Sequence, residues 1–132
     1  MREWYRHFLE SAKEGEEILL YDSGNIESWY KLDPEFYKNY MEHQLKRGIR
    51  LLCLMPQHKK VDEFIKEVGW SITEYRYTSA SLSKNVEQWI WHDEVCYQTI
   101  QGSSTNMIVL KSFSLAEFAR KQFMEIWNSA QK

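Results

Sequence analysis

The stretch from Asp33 to Pro56, DPEFYKNYMEHQLKRGIRLLCLMP, constrains the fold more than any other part of the chain. Asp33 can cap a helix through its carboxylate, and Pro34 suits the first helical position, where no backbone donor is needed. Phe36, Tyr37, Tyr40, Met41, Gln44 and Leu45 then recur at three- and four-residue spacing and make one mostly apolar face. Gly48 can take the left-handed conformation that ends a helix, with Lys46 and Arg47 at the negative end of its dipole. Ile49 to Met55 is a nearly unbroken apolar run, the pattern of a strand covered on both faces. A helix turning at one glycine into such a strand is half of a parallel βαβ unit.

The flanking segments extend this pattern. Residues 1–15 read as a helix with Trp4, Tyr5, Phe8 and Ala12 on one side, connecting to or dimerising the domain formed by residues 16–132. Glu17 to Tyr21 is a short strand followed by a turn through Asp22, Ser23, Gly24 and Asn25, and Ile26 to Leu32 a separate helical turn. Val61, Phe64, Ile65 and Val68 have helical spacing, closed by Gly69. Ser71 to Tyr77 alternates like a strand with one wet face or an edge position, and Ser79 to Asn85 reads as a loop. Val86–Trp91 and Val95–Ile100, separated by His92-Asp93-Glu94, predict a hairpin. Gln101 to Asn106 is a turn, and Met107 to Lys111 a further buried strand. Ser114 with Glu117 forms a capping box for a last helix, whose Leu115, Phe118, Ala119, Gln122, Phe123, Ile126 and Trp127 make a wide stripe that must dock on the sheet or on a partner. The expected fold is α/β: a mixed β-sheet sandwiched by helices.

Composition narrows the functional classes. A net charge of −2 gives no positive field to attract nucleic acid or an anionic membrane. Six Trp, eight Tyr and six Phe are an unusual load, suited first to a core and dimer face and second to an aromatic ligand pocket. Cys53 and Cys96 fall in strands and read as buried reduced thiols, consistent with the cytoplasm. No apolar stretch approaches the ~20 residues that span a bilayer, and the first residues do not form a signal peptide.

Chemistry is sparse. Gly24 stands alone, so no phosphate loop is present. The cysteines and His7, His43, His58 and His92 lack zinc spacing, and no metal or cofactor is expected. Ser23-Gly24 after a strand only faintly echoes a nucleophile elbow. Ligands of open α/β sheets sit past the carboxyl ends of the strands. A pocket there would draw on Tyr21, Asp22, Ser23 and Asn25 after the first strand and on Met55, Gln57 and His58 after the second. Trp29 would be a wall and Arg76 a charged contact. The plainer reading makes these residues caps and turn formers, His58 a solvated loop histidine, and Trp89 and Trp91 a cover for the sheet.

The capped helix ending in KRGIRLLCLMP, the hairpin VEQWIWHDEVCYQTI and the closing NMIVLKSFSLAEFARKQFMEIWNSA together resemble the effector domain of TrmB-type transcriptional regulators, from Trp4 to Trp127. The resemblance implies a phospholipase D-like fold. Active members of that fold carry His-x-Lys-x-x-x-x-Asp on the strand entering the hairpin. With Asp93 at the Asp position, the His and Lys positions hold Val86 and Gln88, which supply neither nucleophile nor fixed charge. His58 and Lys60 spell His-x-Lys, but Ile65 stands where the Asp belongs. The resemblance therefore implies a non-catalytic domain that binds a small effector (a sugar or similar), forms a homodimer and meets DNA only through a separate winged-helix domain. The extra C-terminal β-domain of the longer sugar-binding members has no counterpart in this sequence. Two alternatives stand beside it: a protein–protein interaction module on the same scaffold, and a hydrolase using Asp22, Ser23 and His58.

Overall fold

The structure is a computed structural model and describes residues 6–7, 10–23, 31, 33–56, 63, 65–67, 74–79, 85–101 and 104–130. Six strands, β1 (Glu17–Tyr21), β2 (Arg50–Met55), β3 (Glu74–Tyr77), β4 (Val86–Trp91), β5 (Glu94–Gln101) and β6 (Ser104–Lys111), form one sheet in the order β3-β2-β1-β4-β5-β6. β3, β2 and β1 are parallel, and β4, β5 and β6 join them antiparallel. Two helices are described in full, α1 (Pro34–Lys46) and α2 (Phe113–Ser129). The α/β class and the mixed sheet follow the sequence expectation.

Alternation along the strands sends side chains to two cores. On one face Ile18, Leu20, Leu51, Cys53, Met55, Trp89, Trp91 and Cys96 pack with Tyr37, Tyr40 and Met41 of α1 and with Ala12 and Ile65. On the other, Leu19, Tyr21, Leu52, Leu54, Ile90 and Val95 pack with Ala116, Ala119, Phe123 and Trp127 of α2. Helices thus cover both faces, which is why β2 is apolar in both side-chain directions. Trp89 and Trp91 are buried in the first core, and the Trp91 indole N–H donates to Ser11 Oγ at 3.2 Å.

The βαβ unit forms as its sequence dictates. Asp33 accepts a hydrogen bond from the Phe36 amide at 3.2 Å, and Pro34 opens α1. At its far end Gly48 has φ of 66°; its amide donates to Leu45 O and the Ile49 amide to Gln44 O. This is a Schellman closure, which needs the left-handed residue. The chain leaves it directly into β2, and the Arg50 amide bonds Glu16 O at 2.9 Å to start the parallel ladder.

Three expectations need correction. β6 is not a buried strand: it spans Ser104–Lys111, lies at the outer edge, and exposes Ile108, Val109 and Leu110. An apolar run cannot by itself distinguish an edge from a centre. α2 is capped by Ser112, not Ser114; Ser112 Oγ accepts from the Leu115 amide at 3.3 Å. The Ser112 amide bonds Asp93 O at 2.8 Å, which fixes where the chain turns out of β6. The inner half of the α2 stripe docks on the sheet, and Leu115 and Phe118 on its outer half are exposed in the single chain. The hairpin turn is the pair His92-Asp93, with His92 at φ of 51°, and Glu94 already belongs to β5.

Candidate functional site

The carboxyl ends of the parallel strands carry polar residues on both faces of the sheet. Tyr21 and Arg76 lie in one cross-strand row on the α2 side, joined by Leu54 and extended through Gln88 and Tyr97. The Tyr21 hydroxyl bonds the Thr78 side chain, and burial pushes its pKa upward while that bond pulls the other way. Gln88 Nε2 donates to the Tyr97 hydroxyl at 3.0 Å. Arg76 Nη1 donates to Trp127 O at 2.8 Å, and its Nη2 lies 3.3 Å from Glu74 Oε1. Ser23 Oγ is enclosed without a hydrogen-bond partner.

The opposite face holds a second row. Met55 pairs with Tyr77, Glu87 with Gln98, and Gln98 with Met107. One step beyond the Tyr21–Gln88 pair brings Asp22 level with Glu87. The Asp22 amide donates to Leu54 O at 2.7 Å and so continues the ladder past β1. Asp22, Glu87 and Gln98 are all buried. Cys53 lies close enough to feel both acids: burial raises its thiol pKa well above the ordinary value, and the charges of Asp22 and then Glu87 raise it further.

Gln98 is the most telling member of this row. It is 0% exposed, and neither its amide nitrogen nor its amide oxygen has a hydrogen-bond partner. An enclosed amide with both ends unmet costs roughly 1–3 kcal/mol, so such groups are rare in folded proteins. The group can donate and accept at once, a capacity suited to hydroxyl-bearing molecules. Among the described residues no three His, Cys, Asp or Glu are placed to hold a metal ion, and no helix is long and apolar enough to cross a membrane.

The site residues expected from the sequence divide accordingly. Tyr21 and Arg76 share a row on the α2 side, Ser23 follows β1 with its hydroxyl enclosed, and Met55 faces the α1 side and does not share a wall with Tyr21 or Arg76. Arg76 is engaged by α2. Asn25, Trp29, Gln57 and His58 lie outside the described residues. Glu87 and Gln98 had no sequence signal beyond two polar residues in β-rich runs. The usable hint was their inward parity with Trp89, Trp91 and Cys96. Comparison with protein-family models and with curated proteins gives no match.

Proposed function

We propose that this chain is a non-catalytic, small-molecule-sensing and dimerising domain of a TrmB-like transcriptional regulator, built on a phospholipase D-like half. It works in the cytoplasm and contacts DNA only through a separate domain. One observation carries the sensing role: the enclosed Gln98 amide, unmet at both ends, beside the buried acids at the strand ends. A neutral polyhydroxylated effector, a sugar or similar, would accept from its NH2 and donate to its carbonyl. The non-catalytic reading rests on Val86 and Gln88 in the hairpin, since neither can attack or clamp a phosphoryl group. The apolar surface of β6 and α2 favours a second reading, a protein–protein interaction module.

Differential scanning fluorimetry of the chain against mono- and disaccharides tests the proposal. One ligand class should raise the melting temperature, by linkage to the native state, and Gln98→Met should fold normally yet lose that rise. A panel without effect, or a shift that survives Gln98→Met, would remove the sensing role. Turnover of a model phosphodiester would remove the non-catalytic one.

A further inference from the structure

We infer that Asp22 and Glu87 set the charge selectivity of the site around Gln98, admitting uncharged and cationic polyols and turning away anionic ones such as sugar phosphates. The inference rests on the sensing role proposed above and names the residues that choose among its ligands. Glu87 and Gln98 are directly paired across β4 and β5, so their side chains leave the sheet on one face from Cα atoms about 5 Å apart. Asp22 stands on the other side of Glu87, one step beyond the Tyr21–Gln88 pair. Two carboxylates and an amide thus form an unbroken line, 2%, 2% and 0% exposed.

The amide is what makes this line a site. Its nitrogen and its oxygen are both enclosed and both without a hydrogen-bond partner, so it offers donors and an acceptor to an incoming molecule. The acids act differently. Both interact with other groups of the chain, and their part is the field they set rather than a bond to the ligand. That field reaches β2: the Cys53 thiol, already raised by burial, is raised further by Asp22 and then by Glu87. The row that runs Tyr77, Met55, Asp22, Glu87, Gln98, Met107 contains no basic residue. Arg76, the cation of β3, lies on the opposite face, where it bonds the Trp127 carbonyl.

An uncharged hydroxyl meets the amide without feeling this field. A phosphate on the same sugar brings another negative charge into a region shielded from water, where like charges a few ångström apart repel strongly. An ammonium in the same place is favoured. Selectivity of this kind comes from an unfavourable element set against the wrong ligand as much as from contacts to the right one.

Titration calorimetry of the whole chain with glucose, galactose and mannose, each beside its 6-phosphate and its 6-amino-6-deoxy form, tests this. A sugar that binds should do so at least about 10-fold more tightly than its phosphate, and its amine should keep that advantage. Glu87→Gln and Asp22→Asn retain side-chain size and remove one charge each, with circular dichroism to verify folding. Either should narrow the gap between sugar and phosphate by at least about 3-fold, and the wild-type comparison stands without them. A phosphate that binds wild type as well as its sugar does would refute the charge filter and leave sensing standing. So would a gap that both folded variants leave unchanged, since the anion would then be rejected for want of a cation rather than by these acids. Absence of binding by every member of the panel would remove the sensing role and the filter with it.

Discussion

Arg76 holds Trp127 in two ways at once: its Nη1 donates to the Trp127 carbonyl at 2.8 Å, and its guanidinium carbon lies 4.4 Å from the centroid of the indole ring. The last turn of α2 contains no basic residue of its own. The sheet therefore supplies the cation that the negative end of the helix favours, and it does so from β3, the edge strand opposite β6. Removing it with Arg76→Ala should destabilise the protein by about 2 kcal/mol, combining a charge-assisted hydrogen bond with a partly desolvated cation–π contact. Arg76→Lys should fall between, because an ammonium keeps the charge without the planar fork. Urea denaturation measures both; equal stability of wild type and Arg76→Ala would refute the role.

The two serines at the start of α2 should behave differently. Ser112→Ala removes the acceptor for the Leu115 amide and should cost about 1 kcal/mol. Ser114→Ala lies inside the first turn and is exposed, so it should change stability by less than about 0.5 kcal/mol. A pair of chemical denaturation curves discriminates the two caps.

Gly48 tests backbone conformation without packing. A methyl group added there meets nothing within 4 Å, yet φ is 66°. Gly48→Ala should thus lose about 1 kcal/mol through conformational strain alone, and Gly48→Asn less, since asparagine tolerates the left-handed region better. The midpoint of unfolding should shift while the slope stays constant.

Stability should fall in alkali. Cys53 in the folded protein titrates well above its ordinary value of 9.0, and Tyr21 and Tyr40 are raised above 10.0, each chiefly by burial. The unfolded chain loses these protons first, so it binds fewer protons than the native state once pH passes the ordinary values. By linkage, stability is level below about pH 9 and declines above it, by up to ~1.4 kcal/mol per pH unit for each group in its window. Cys53→Ala should remove the earliest part of that decline. Melting temperatures from pH 7 to 10.5 read this directly.

Gln98→Met should stabilise the unliganded protein or leave it unchanged. The amide is enclosed without partners, and an apolar side chain of similar size removes its desolvation cost of roughly 1–3 kcal/mol. A clear loss of stability in thermal melts would show instead that the amide is satisfied in the folded chain.

Local signals in the sequence reached the fold well. The Asp33 cap, the Gly48 stop and the bounds of β1 are properties of neighbouring residues, and the chain obeys them. The edge position of β6 was not legible, because Met107–Leu110 would read the same in a central strand. What decides it is that, among the described residues, β5 alone pairs with β6, a global fact. The choice between Ser112 and Ser114 turned on a hydrogen bond to Asp93 across the hairpin, likewise invisible locally. At the candidate site the strand-end rule pointed to the end of the sheet where Tyr21, Arg76 and the buried Asp22 lie. It could not say that Met55 and Tyr21 face opposite ways, since that depends on the register of β1 against β2. It overlooked Glu87 and Gln98 because polar residues in a strand ordinarily mark its wet face.

The central place of β1 bears on how the chain assembles. β1 comes first among the strands in chain order, and α1 can deliver β2 to one of its flanks over a short stretch of chain. The other flank waits for β4, whose Ile90 must travel back to Leu19. Until then the partly folded chain holds a naked apolar ribbon open to any passing strand. The hairpin β4–β5 and the adjoining β6, all joined by short connections, can form as a unit before that closure. Their docking onto β1 is then the late, slow event, and the partly folded state that precedes it is the species most exposed to misassembly.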